Sequence, residues 1–156
     1  MKVHVECYPD VFLVKSMGFS PLHAIGKGRA INEGKKGSVC IVDFDSEESM
    51  RDYISGCTED KELSEQNLGI RVYRSKGIII ALVKKLEDFI IKSAREAGIS
   101  LRNYGLSDDE RELHSQISKR KPPAEFTNLL RELGERSRRM KKLREIISTV
   151  MENCKL

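Results

Sequence analysis

The chain reads as an α/β protein with a mostly parallel sheet flanked by helices and an α-helical C-terminal extension. Three observations predict this. Apolar strand-like runs alternate with helical segments through the first half, which argues for a largely parallel sheet. Ser38-Val39-Cys40-Ile41-Val42 is continuously apolar after its first residue, as suits a strand covered on both faces. From Leu86 onward, apolar residues recur only at helical spacing. With 156 residues, a single fold buries roughly 68–70% of its extended-chain surface and needs no disulfide or metal staple. The expected division is an α/β domain over residues 1–86 and a helical extension over residues 87–156.

The elements follow in order. Val3 to Cys7 is β-rich and stops at Pro9. Asp10 then serves a helix N-terminus, and Val11, Leu13, Val14 and Met17 give that helix an apolar side up to Gly18. Leu22 to Ile25 predicts a short strand, and a small helix through Ala30 and Ile31 ends at Gly34 or Gly37. The apolar strand from Ser38 runs into Asp43-Phe44-Asp45, and Ser46 caps a helix through Met50, Tyr53 and Ile54. Ile70 to Tyr73 and Ile78 to Val83 are two strands joined at Ser75-Lys76-Gly77, able to pair as a hairpin with an antiparallel edge. Helices follow through Leu86 to Ala97 and, after a Ser107/Glu110 capping box, through Leu113 and Ile117. Beyond Pro122-Pro123, Phe126 to Leu133 leads to Gly134. A last helix carries Met140, Leu143, Ile147 and Val150 as one stripe, for core packing or for a partner helix in a homodimer.

Composition narrows the class. The longest apolar run, Ile78 to Val83, is far short of the ~20 residues of a membrane span. The first residues hold no signal-peptide core, so a cytoplasmic protein without a membrane partner is expected. Cys7, Cys40, Cys57 and Cys154 are scattered, as are His4, His23 and His114, which disfavours a zinc site and reads as free thiols. Charge is uneven: residues 1–110 hold 16 basic against 18 acidic side chains, residues 111–156 hold 12 against 6. Arg136, Arg138, Arg139, Lys141, Lys142 and Arg144 crowd the terminal helix, either as a polyanion-binding surface for nucleic acid or as a solvated face.

Ligands of a parallel α/β sheet bind beyond the carboxyl ends of its strands. Glu6 lies near the end of the first strand, and Asp43 and Asp45 at the end of the most apolar one. Gathered at one edge, such carboxylates need a cation, and a divalent metal of the Mg²⁺ class suits oxygen ligands and a phosphate substrate. Gly26-Lys27-Gly28-Arg29 would sit on the same edge. It is either an anion-binding loop, with Lys27 and Arg29 supplying charge, or an ordinary turn. Glu87 and Asp88 follow the last strand and either join the site or favour a helix N-terminus.

Val5-Glu6-Cys7-Tyr8-Pro9-Asp10, followed by an apolar helix to Gly18, resembles the first motif of the Toprim (topoisomerase–primase) fold. Ile41-Val42-Asp43-Phe44-Asp45 is similar to its Asp-x-Asp motif. The resemblance covers roughly residues 1–86 and implies a small stand-alone Toprim-like protein. It implies Glu6 as a general acid or base, and Asp43 and Asp45 as ligands of Mg²⁺, with Mn²⁺ as a substitute. Asp10 is similar to an acidic position in the Toprim domains of overcoming-lysogenization-defect nucleases, where paired metals assist phosphodiester cleavage. Arg138, Arg139 and Lys142 would then hold the phosphate backbone. Cys7 stands where Toprim domains usually have Gly, and Ser46-Glu47-Glu48 where a small residue is often found. No Gly-x-x-x-x-Gly-Lys-Ser/Thr motif is present. Three functions stay open: Mg²⁺-dependent action on nucleic acid, a non-catalytic nucleic-acid-binding or assembly module on the same fold, or a structural or regulatory partner protein that dimerises through the Met140–Val150 stripe.

Overall fold

The computed structural model describes residues 2–153, with six strands and seven helices; the two kinds alternate through the first half, and four successive helices close the chain. The strands are β1 (Lys2–Val5), β2 (Ser20–His23), β3 (Val39–Phe44), β4 (Thr58–Glu59), β5 (Ile70–Arg74) and β6 (Ile78–Val83). They form one mixed sheet in the order β2-β1-β3-β6-β5-β4. The first four in that order are parallel; β5 runs antiparallel to β6, and β4 antiparallel to β5. The helices are α1 (Tyr8–Ser16), α2 (Lys27–Lys36), α3 (Glu47–Met50), α4 (Leu86–Ala97), α5 (Glu110–Ile117), α6 (Ala124–Arg136) and α7 (Arg138–Asn153).

Strand alternation sorts the buried side chains into two layers. Val3, Val5, Val39, Ile41, Ile80 and Leu82 face α1 and the helices from α4 to α7 in one continuous core. Cys40, Val42, Phe44, Ile79 and Ala81 face α2 and α3 in a second, smaller one. Continuous apolar strands arise because both faces are covered. The larger core crosses residue 86 without a break, so α4 to α7 are one of the layers that bury the sheet.

Several boundaries differ from the sequence expectation, each for a local reason. α1 begins at Tyr8, because Pro9 falls in the first turn, where its missing N–H is no loss. β2 spans Ser20–His23 and stops short of Ile25. The helix after Ser46 lasts four residues, and residues 51–56 are turns. β4 has only two residues and no periodicity to announce it. Asp109 caps α5 in place of Ser107, its Oδ1 accepting the Arg111 and Glu112 N–H groups, while Ser107 Oγ donates to Glu112. α6 passes through Gly134 to Arg136. The stripe of Met140, Leu143, Ile147 and Val150 is almost wholly buried in the larger core. It is therefore not free to pair with a second copy of the chain. Cys154 lies outside the described residues, among which no helix is long and apolar enough to cross a membrane.

Two helical glycines make opposite demands. A Cβ on Gly34 would stand 2.9 Å from Ile79 Cγ1 and 3.0 Å from Cys40 Sγ, so α2 reaches the sheet only because this residue has no side chain. A Cβ on Gly134 meets nothing within 4 Å. Gly34→Ala should cost about 1–3 kcal/mol through overpacking, whereas Gly134→Ala should add about 0.5–1 kcal/mol of helix propensity. Urea unfolding of both variants checks this; midpoints that move in the same direction would contradict the packing.

Candidate active site at the strand ends

β1 leads through α1 to β2 on one side, while the chain after β3 passes to the β6 side. The gap between β1 and β3 is therefore the topological switch point of the parallel block, where the connections diverge and leave a crevice. Glu6 follows β1, and Asp43 is the penultimate residue of β3. The two are joined directly: Glu6 Oε2 accepts the Asp43 N–H at 2.9 Å. Asp43 Oδ1 in turn accepts the Leu86 N–H at 3.0 Å, satisfying one of the orphan amides that begin α4. Asp45 lies just beyond β3 and pairs with Lys27 Nζ at the start of α2.

Glu6, Asp43 and Asp45 line one cleft of about 620 Å³, together with Lys85, Glu87, Glu110, Arg111, His114 and Ser115. The three acids expected at the strand ends thus come together. Asp10 lies beneath them in the first turn of α1 and has no exposed surface. Its Oδ2 accepts the Cys7 N–H at 3.3 Å and the Cys7 thiol at 3.1 Å, while Oδ1 is buried with no hydrogen-bond partner.

The electrostatics follow from burial. Loss of solvent, then the neighbouring Asp10, Glu6 and Glu87, pushes Asp43 up to about 9. Burial, with Glu6 and Glu87 adding to it, raises Asp10 to about 7 against the hydrogen bonds from Cys7. Glu6 is also raised, chiefly by burial, against the opposing pull of the Asp43 N–H and Lys27. Burial would lower Lys27, but the bond to Asp45 and the charges of Glu6, Asp45 and Asp43 outweigh it and hold the ammonium above its ordinary range. The Cys7 thiol is pushed up by burial and by Asp10, so it is no nucleophile.

Among the described residues, no three His, Cys, Asp or Glu side chains converge closely enough to hold a metal ion as they stand. The donor chemistry nevertheless fits a hard cation. The acids at the strand ends offer oxygen only, Asp43 and Asp45 face the cleft, and the unpartnered Asp10 Oδ1 leaves a further buried carboxyl oxygen behind them.

The expected basic residues are placed differently. Lys27 is taken up by Asp45, and Gly26 and Lys27 simply open α2. Arg29 is exposed in a separate depression with His4 and Leu22, away from the acids. Arg139 is turned into the fold, 5% exposed, with Nε and Nη2 on the two oxygens of Glu96 at 2.9 and 2.8 Å. Lys142 reaches Glu145, and Arg136 bonds the Ala97 carbonyl. Arg138, Lys141 and Arg144 remain exposed. Sequence reasoning missed Arg111 and His114, since nothing local marks which loop or helix folds over a sheet edge. Glu87, which the sequence offered either as a site carboxylate or as a helix N-terminal acid, does both: it sits in the first turn of α4 and lines the cleft.

Comparison with protein-family models, with curated proteins and with solved structures finds no match.

The raised carboxyls make stability depend on pH. Asp43, Asp10 and Glu6 have folded-state values above their unfolded ones. Their contribution is therefore fully present below about pH 4 and is lost as pH rises through the folded values, up to about 9 for Asp43. Glu59, Asp60 and Glu96 are held low, the first and last chiefly by arginine bonds and Asp60 chiefly by the Leu63 N–H, and they lose stability below about pH 4. In chelator, the melting temperature should peak near about pH 5 and fall toward pH 9. Asp43→Asn should flatten that fall and melt higher than wild type at pH 8. A variant that melts lower there, with an unchanged pH slope, would contradict the assignment.

Proposed function

We propose that the chain is a Toprim-like protein that acts on nucleic acid by Mg²⁺-dependent phosphodiester cleavage, with Mn²⁺ able to substitute. The observation that carries this reading is the joint placement of Glu6, Asp43 and Asp45 around one cleft at the switch point of a parallel sheet. Asp43 and Asp45 would hold the metal, and Asp10 would strengthen its attraction from below. A bound Mg²⁺ supplies Lewis-acid stabilisation of charge developing on the phosphoryl oxygens.

The chain's own residues do the rest. Glu6 is fixed by the Asp43 N–H, and its raised affinity for a proton suits it to hold or release one at a carboxyl oxygen. Lys27 holds Asp45 at the cleft edge and would give way there to the cation. Arg111 and Lys85 on the cleft wall supply positive charge for a phosphodiester. Exposed Arg138, Lys141 and Arg144 suit a more distant, sequence-independent contact with the backbone.

A second reading has its own observation. Asp43 and Asp45 already have protein partners in Leu86 and Lys27, and no ready-made ligand set is assembled among the described residues. That arrangement favours a binding or assembly module without turnover.

One experiment separates them. Wild-type protein is incubated with plasmid, single-stranded DNA and RNA in Mg²⁺, Mn²⁺ or chelator. The nuclease reading expects metal-dependent cleavage, and at least about a hundredfold loss in Asp43→Asn and Asp45→Asn, as several kcal/mol of transition-state stabilisation are removed. Binding without cleavage under every metal condition would establish the module.

A further inference from the structure

The helical layer contributes a second kind of group to the acidic cleft. α5 crosses its mouth with Leu113 and Ile117 fully buried on the inner face and His114 on the other. His114 Nδ1 lies 2.7 Å from Glu87 Oε1. The Glu87 side chain is 6% exposed and that of His114 63% exposed, so the carboxylate is fixed while the ring stays open to the cleft. A carboxylate only accepts, so Nδ1 carries the proton of this bond, and in the neutral ring the lone pair lies on Nε2. Ser118 Oγ lies 3.1 Å from Nδ1 and 3.2 Å from Nε2, so its hydroxyl donates to Nε2 until a water takes that place.

Docking of α5 does not need this pair. Its buried Leu113 and Ile117 and the Asp109 cap already hold the helix. A buried glutamate spent on an exposed histidine beside Glu6, Asp43 and Asp45 is better explained by work in the cleft.

We propose that His114 is the general base of the cleft, with Glu87 as its positioning residue; this rests on the nuclease reading above. The Nε2 lone pair takes a proton from a water molecule as its oxygen attacks phosphorus. The phosphorus–oxygen ester bond on the opposite side breaks, and the departing oxygen takes a proton from solvent, to which His114 returns the one it took. One water is consumed, and a phosphomonoester and an alcohol are produced. The helical layer thereby completes a site whose acidic floor belongs to the sheet.

The test uses the fact that the chain has three histidines. His4 and His23 line a separate depression with Leu22 and Arg29 and serve as internal references. The ring Hε1 signals are followed by NMR while a short oligothymidylate is added with Ca²⁺ in place of Mg²⁺, and His114→Gln assigns the third signal. Saturable movement of the His114 signal alone is expected. In Mg²⁺, His114→Gln, whose amide can still donate to Glu87, should lower kcat by about a hundredfold or more at unchanged KM. Glu87→Gln should lower kcat and change the ¹⁵N tautomer pattern of His114. If the oligonucleotide binds while the His114 signal stays still, or His114→Gln cleaves at the wild-type rate, His114 is not the base, and the nuclease reading stands on cleavage by the wild type. If the wild type neither binds nor cleaves, the nuclease reading fails and His114 loses its role with it.

Discussion

Two carboxyl groups buried at the junction of β1 and β3, Asp10 without any exposed surface and Asp43 mostly covered, are the constraint on which the rest of the site depends. Neither has a cationic side chain of its own. The one lysine bonded at this edge, Lys27, is given to Asp45. Backbone amides therefore carry the compensation: Cys7 N–H on Asp10, Leu86 N–H on Asp43, and Asp43 N–H on Glu6. These bonds lock the end of β1 to the end of β3, and the end of β3 to the start of α4. Carboxyl groups are thereby concentrated by the same contacts that fix the geometry of the sheet edge.

That arrangement explains why the helical layer cannot be treated as an appendage. α4 starts on Asp43, so the acid that faces the cleft also sets where the layer begins. Arg139 then anchors α7 to α4 through Glu96, with its guanidinium 5.8 Å from the Phe89 ring centre. Held this way, the layer brings α5 across the cleft and sets Arg111 and His114 opposite the acids. Residues that looked like a nucleic-acid surface are in part the fastening that builds the cleft wall.

What was legible in the sequence is what short-range physics controls. Val39 to Val42 had to be a doubly covered strand, and an acid at the end of such a strand had to lie at the sheet edge, so Glu6, Asp43 and Asp45 could be grouped without coordinates. The β5–β6 hairpin was legible for the same reason, from two apolar runs and a glycine turn. Long-range choices were not. Arg139 and Arg138 are adjacent and alike in sequence, yet one is buried on Glu96 and the other exposed, because helix phase against α4 decides. The Met140–Val150 stripe could not by itself distinguish a partner chain from the chain's own core. His114 carried no signal, since its partner Glu87 lies 27 residues earlier. The short β4 and the Asp109 cap turned on hydrogen bonds that competed closely with their neighbours.

The most direct measurement is a crystal structure of the protein soaked in Mn²⁺, with anomalous scattering used to locate the ion. The account predicts a peak in the cleft contacting the Asp43 and Asp45 carboxylates, with Lys27 displaced from Asp45 to admit it. No peak at millimolar Mn²⁺, with Lys27 still on Asp45 and Asp43 still on the Leu86 amide, would contradict it and leave the buried acids as a purely structural lock.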